Sequence, residues 1–228
     1  MMADWQQDKR DSDGILWDAD GLEIERESFR RIDAEAGEAR TRFTEQEWHV
    51  ARRLVHTTAD FSILDSLEFH ETVIESGLAA LRRGALIYSD SNMIKAGLSV
   101  PKLQRFHAEY DREAILCPIT EPAVAEYAKS HHVTRALAGV TLHRKRLAGA
   151  IILCGNAPLA LAAVARMCRD DGLRPALIIG MPVGFVNVTE SKRMLSQVPE
   201  GVPWLRLNGR RGGSPLAVAA LHGIMECG

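Results

Sequence analysis

Apolar and polar positions follow two rhythms along this chain. One is helical: in TEQEWHVARRLV, residues 44–55, Trp48, Ala51 and Val55 share a face, and Thr44 with Glu47 fits a capping box. The other is a short unbroken apolar run. ALIYS (85–89), AILCPI (114–119), GAIILCG (149–155), PALIIGMPVG (175–184) and WLRLNG (204–209) read as strands. Helices are expected over 21–39, 68–84, 122–129, 157–172, 189–197 and 213–227, with a helix or turn over 133–146. Buried strands alternating with amphipathic helices predict an α/β fold, a three-layer α/β/α domain with a mainly parallel central sheet. That single domain is expected over residues 21–228, behind a flexible polar tail, residues 1–20.

Composition narrows the partners. With 46% hydrophobic and 25% charged residues the chain has ample material for a buried core, and a net charge of −2 argues against a nucleic-acid coat. No apolar run approaches the roughly 20 residues of a membrane span. The polar N-terminus lacks the apolar region of an export signal, so a cytoplasmic protein is expected. Cys117, Cys154, Cys168 and Cys227 form no CxxC pair, and the expectation is free, mostly buried thiols.

In open parallel sheets, ligands bind beyond the carboxyl ends of the strands. The turns there are Ser89-Asp90-Ser91-Asn92, Gly155-Asn156-Ala157-Pro158, Met181-Pro182-Val183-Gly184-Phe185 and Asn208 to Ser214. Each turn alone is explained by backbone geometry, but four small or polar turns on one edge favour a site. In GRRGGS, Arg210 and Arg211 stand at a helix entrance that suits a carboxylate or phosphate. It is not a P-loop, no GxGxxG follows a strand, and neither the HExxH nor the H-x-E…C-x-x-C metal pattern occurs. HRKR (143–146) reads as a solvated helix end. Arg135, among small and apolar neighbours, belongs to an ion pair or to an anionic ligand. His56, in RRLVHTTADF, sits at or just beyond a helix C-terminus. It is either a packed capping residue or a general acid, since such an end favours protonated imidazole. Thr57, Thr58 and Asp60 are offered as partners for its ring.

Taken together, EIERESF (23–29), RRLVHTTADF (52–61), SDSNMIKAG (89–97), VTRA (133–136), GNAPLAL (155–161), RPALIIGMPVGFVNVTESK (174–192) and GRRGGS (209–214) resemble the precorrin-8X methylmutase family of cobalamin biosynthesis. The resemblance implies an isomerase without a cofactor that moves a methyl group from C11 to C12 of a corrinoid macrocycle. His56 then corresponds to the catalytic histidine, Ser28 to a substrate-binding serine, and Arg135 to a partner for a substrate carboxylate. With the turns above, Asp90, Asn92, Asn156, Arg210, Arg211 and Ser214 complete the expected substrate-binding set. Where some members carry a tyrosine before the serine, this chain has Glu25-Arg26-Glu27. SDSNM and HTTADF look more like the branch whose substrate contains cobalt, in which case the metal arrives with the substrate. A homodimer with its active site near the interface is implied, with hand-off of product to the next pathway enzyme. Two rival readings are a corrinoid carrier without chemistry and a Rossmann-like nucleotide-dependent transferase.

Overall fold

A computed structural model describes residues 11–15, 17 and 19–228. The remaining positions, all within the expected tail, lie outside the described residues. Among those described, six strands form one sheet: β1 (Leu67–Phe69), β2 (Ile87–Ser89), β3 (Ile115–Leu116), β4 (Ile151–Cys154), β5 (Leu177–Gly180) and β6 (Trp204–Leu207). Their order is β1-β6-β5-β4-β2-β3, parallel from β2 to β6, with β1 antiparallel on the β6 edge. Each of the five expected strand segments contains one of these strands. The order reverses direction at β2 and β4, which opens a crevice at their carboxyl ends.

The period-two alternation of side chains divides the core into two layers. Ile151, Leu153, Leu177, Ile179, Leu205 and Leu207 join the larger cluster, with Val50 and Leu54 of α2 (Glu45–Thr58), Leu81 of α3 (Val73–Arg82) and Leu221 of α10 (Ser214–Met225). Ile152, Cys154 and Ile178 point the other way, onto Val140 of α7 (Arg135–Leu142) and Val164 of α8 (Pro158–Asp170). Cys154 and Cys168 are buried, Cys117 and Cys227 partly so, and all four thiols are free. Among the described residues no helix is long and apolar enough to cross a membrane.

Three local departures from the sequence pattern have physical causes. The segment 68–84 is not helical throughout. Its first residues form β1, because Leu67 to Phe69 complete the exposed β6 edge and Glu68 reaches Arg206, leaving α3 to start at Val73. The first helix, α1 (Gly21–Glu35), stops short of residue 39 and is followed by a 3-10 turn, Gly37–Arg42, entered through Gly37 at φ +53°. Helix α2 runs on through Thr58 to a left-handed Ala59, which puts His56 inside its last turn. Helices α4 (Asn92–Gly97), α5 (Val100–Gln104), α6 (Pro122–Ser130) and α9 (Val188–Arg193) complete the framework.

Helix α10 presses against α2 at a glycine. A Cβ on Gly223 would stand 2.7 Å from the Cα of Val50, so the two backbones meet without an intervening side chain. Gly223→Ala is therefore expected to lower stability by about 1–3 kcal/mol despite the better helix propensity of alanine, as read from urea unfolding.

Candidate active site

His56 is held by α1. The Ser28 hydroxyl oxygen lies 2.7 Å from His56 Nδ1, and the Phe29 ring meets the imidazole edge-on with centroids 5.2 Å apart. Arg52 and Arg53 place guanidinium carbons 4.4 and 5.1 Å from the Phe29 centroid. Arg53 is buried and pairs with Glu25, at 2.7 Å, and with Glu226. Burial works to raise the Glu25 carboxyl, but the Arg53 hydrogen bond and charge prevail and hold it below the ordinary glutamate value. Asp33 adds a further tie, accepting from Trp48 Nε1 at 2.7 Å and from Arg52 at 2.8 Å. One imidazole nitrogen is thus engaged by a hydroxyl, leaving Nε2 as the position for an exchangeable proton.

The residues after His56 bond elsewhere. Thr57 and Thr58 donate to the carbonyls of Arg53 and Leu54 within their own helix. Asp60 accepts from the backbone and hydroxyl of Ser62 and from Arg211 at 2.5 Å. The ring partner of His56 is Ser28 instead.

The crevice at β2 and β4 is a cleft of about 480 Å³. Asp90, Thr120, Arg135, Asn156, Pro158 and Asn187 are among the residues that line it. Arg135 is exposed at the first position of α7, whose N-cap is Thr134, and among the described residues it makes no ion pair. A cation at a helix N-terminus opposes the helix dipole, so this placement is a local cost that an anionic ligand would relieve. Asp90 is buried, and burial pushes its carboxyl above the ordinary aspartate value against the pull of amide donors in the 155–157 turn.

The four turns expected at the site are joined into one rim. Ser91 and Ser214 share a hydroxyl hydrogen bond of 2.8 Å. Gly213 N–H donates to the Met181 carbonyl at 2.8 Å, and Gly184 N–H to that of Arg210 at 3.2 Å. Gly212 has φ +157°, and a Cβ there would fall 2.2 Å from the Met181 oxygen, so no other residue fits this contact. Arg210 lies over the exposed ring of Phe185, 5.2 Å from its centroid, on the loop that continues into the cleft wall at Val186 and Asn187. Arg211 reaches back to Asp60 and Ser62 beside the end of α2.

Beneath the arginine turn lies a buried cation. Lys192 is fully buried, and its Nζ donates to the carbonyls of Gly209, at 2.9 Å, and Arg211, at 2.5 Å. Burial pushes its pKa down to about 8 from the ordinary 10.5. Between those values the unfolded chain binds the proton that the folded chain has lost, so stability rises with pH across that window. Lys192→Met should remove the rise, a difference seen by comparing urea unfolding of both proteins at pH values near 7.5 and 9.5.

The expected site residues therefore fall into groups. Ser28 and His56 meet directly; Asp90, Arg135 and Asn156 line the cleft; Arg210 and Arg211 stand on the rim. His56 and Ser28 are not among the cleft-lining residues. Asn92 is exposed at the start of α4, Ser214 is buried against Ser91, and neither is among the cleft-lining residues. The sequence gives no role to Phe29, Arg53 or Lys192, and Glu25 enters only within Glu25-Arg26-Glu27, where some members carry a tyrosine. Only the i, i+3 spacing of Glu25 to Ser28 and of Arg53 to His56 hinted that two helix faces meet there. Among the described residues, no three histidine, cysteine, aspartate or glutamate side chains converge as a metal centre would require.

Known proteins supply the context for this geometry. The precorrin-8X methylmutase family model matches residues 23–227. The cobalt-precorrin-8 methylmutase of Leptospira interrogans is 37% identical, over 90% of this chain and 93% of that protein. The precorrin-8X methylmutase of a Sinorhizobium species is 36% identical, over 92% of this chain and 96% of that one. The crystal structure of precorrin-8X methylmutase from Thermus thermophilus superposes with a TM-score of 0.80 at 43% identity, covering 90% of this chain and 95% of that chain. Helix pairing that holds a histidine, a cleft at the strand reversal and a match along nearly the whole chain agree: this chain belongs to the precorrin-8X methylmutase family.

Proposed function

We propose that the cleft and the Ser28–His56 pair together receive a corrinoid macrocycle, within one domain over residues 21–228, and that His56 handles the proton in its isomerisation. The chain is a methylmutase, an isomerase of cobalamin biosynthesis whose reaction is a methyl shift. In this reading the methyl group moves from C11 to C12. His56 Nε2 donates a proton or hydrogen bond to the ring beside the migrating carbon, while Ser28 accepts from Nδ1–H and fixes the ring. An isomerisation conserves atoms, so any proton given returns to the enzyme before the product leaves. No resident cofactor enters the scheme, and cobalt, where present, is part of the substrate.

The observation that carries this reading is Arg135, a cation without an ion-pair partner among the described residues, facing a partly apolar cleft. The macrocycle is flat and bears acetate and propionate groups. Its carboxylates would meet Arg135 and the rim arginines Arg210 and Arg211, with Asn156 beside them. Asp90, Asn92 and Ser214 would act through the turns they shape. Exposed Leu22 and Ile24 on α1, Met93 on α4, and Phe185 and Val186 on the cleft loop support a homodimer that covers the open side of the site. Product hand-off to the following enzyme would use the same opening. The cobalt-containing substrate is favoured because of the SDSNM and HTTADF stretches.

Incubation with precorrin-8X and, separately, with cobalt-precorrin-8 tests this reading through the visible spectrum. Turnover should shift the absorption bands, faster for the cobalt form. A bound but unrearranged macrocycle would instead make the protein a carrier.

A further inference from the structure

We propose that Asp90 is a positioning residue whose carboxylate fills the anion seat at the N-terminus of α8, fixing the Gly155–Ala157 turn and leaving substrate carboxylates to Arg135. The substrate half of this proposal rests on the corrinoid reading above. The seat itself does not.

The two oxygens of Asp90 accept three consecutive backbone amides: Gly155 at 3.1 Å, Asn156 at 2.8 Å and Ala157 at 2.6 Å. These amides belong to the turn that leads into α8, a helix of 13 residues, and the last of them is the amide of its N-cap. Its N-cap is Ala157, which has no side-chain oxygen, and no side chain of the helix's own start caps it. The turn into the helix is therefore held by a carboxylate that follows a different strand, 65 to 67 residues away in sequence. Unpaired amides at a helix N-terminus form a ready site for a small anion. Here the protein supplies that anion itself, at a carboxyl 1% exposed that still forms part of the cleft wall.

Two consequences follow from the placement. The turn is pinned from both sides, because a Cβ on Gly155 would lie 2.8 Å from the Cα of Ser214. Asn156, in the middle of this turn, lines the cleft. Were the seat empty, it would compete with Arg135 for the substrate's carboxylates and draw the macrocycle toward the cleft wall. With Asp90 in place, a second carboxylate is repelled there and is left to Arg135, the cation among the residues that line the same cleft, and to the rim arginines. Asp90 thus selects how the substrate sits without bonding to it.

The test is Asp90→Ala with formate as the probe. Formate should raise the melting temperature of Asp90→Ala saturably and leave the wild type unmoved. With corrinoid substrate, KM should rise about tenfold or more while kcat falls much less, and formate should restore KM. A merely structural role would change the melting temperature without a formate-dependent KM. If Asp90→Ala does not fold, Asp90→Asn serves: it keeps an acceptor but turns an amide donor against the three N–H groups, and its KM should rise. A wild-type KM in Asp90→Asn overturns the proposal. So does a melting temperature of Asp90→Ala that formate does not move, or moves equally in the wild type, and so does a KM that formate fails to restore. A wild-type protein that turns over no corrinoid would remove the functional reading, and the melting experiment would still decide the seat.

Discussion

His56→Ala should slow methyl migration by about 10²–10⁴-fold in kcat, the usual contribution of a positioned acid or base, with little change in substrate binding. His56 is only half-buried in the last turn of α2, so its truncation leaves the packed face of that helix intact. Ser28→Ala should cost less, because in the proposed scheme the hydroxyl orients the ring and the proton comes from His56. If the two act as one unit, the double variant will be hardly slower than His56→Ala alone. Single-turnover spectra of the three variants read this directly. A His56→Ala protein that rearranges substrate at the wild-type rate would exclude the ring from the chemistry. Independent, multiplying effects of the two substitutions would mean that Ser28 touches substrate on its own account.

Arg53→Met should destabilise the fold by about 2–3 kcal/mol. Removing one partner from a fully buried ion pair costs more, but Glu25 and Glu226 keep side-chain exposures of 31% and 25%, so water relieves part of the loss. The pH dependence gives a second signature. Arg53 holds the folded Glu25 carboxyl below its unfolded value, so the stability it contributes is present above the ordinary glutamate pKa and is lost as pH falls through the depressed one. Arg53→Met should therefore flatten the acid limb of the stability profile. The measurement is urea unfolding from neutral pH down to about pH 3, near the lower reach of a depressed carboxylate. Parallel acid limbs in the two proteins would show that the salt bridge carries no stability. The variant should also lose activity beyond its stability defect, because α1 brings Ser28 to His56 one turn away from Glu25.

The sheet was legible because its strands are continuous apolar runs bounded by small residues, a pattern that survives without tertiary information. β1 was not: Leu-Glu-Phe is three residues long and owes its conformation to the β6 edge it completes. The turns that line the site were visible in the sequence as glycine-rich and polar segments. Their stitching was not, since Ser91 to Ser214 or Asp90 to Ala157 joins residues far apart in the chain. His56 is recognisable by motif, but the residues that the sequence offers as partners for its ring are Thr57, Thr58 and Asp60. Helix continuation through Thr58 sends both threonine hydroxyls back to their own carbonyls, a local alternative that competes with any distant partner. Lys192 closes a stretch that carries the family resemblance, but its burial gave no signal, because a lysine between polar neighbours reads as solvent-facing until the turn above it is known.

The close backbone contact of Gly223 with Val50 sets an order of events in the making of the enzyme. The helix that carries His56 is translated some 170 residues before α10, the surface on which it packs. Until then its apolar face, with Val50, Ala51, Leu54 and Val55, waits for a partner. β1 waits likewise for β6. His56, the proposed proton-handling residue, is thus synthesised well before the surface that its helix packs on, so a nascent chain interrupted before α10 carries both Ser28 and His56 but lacks the helix against which α2 packs.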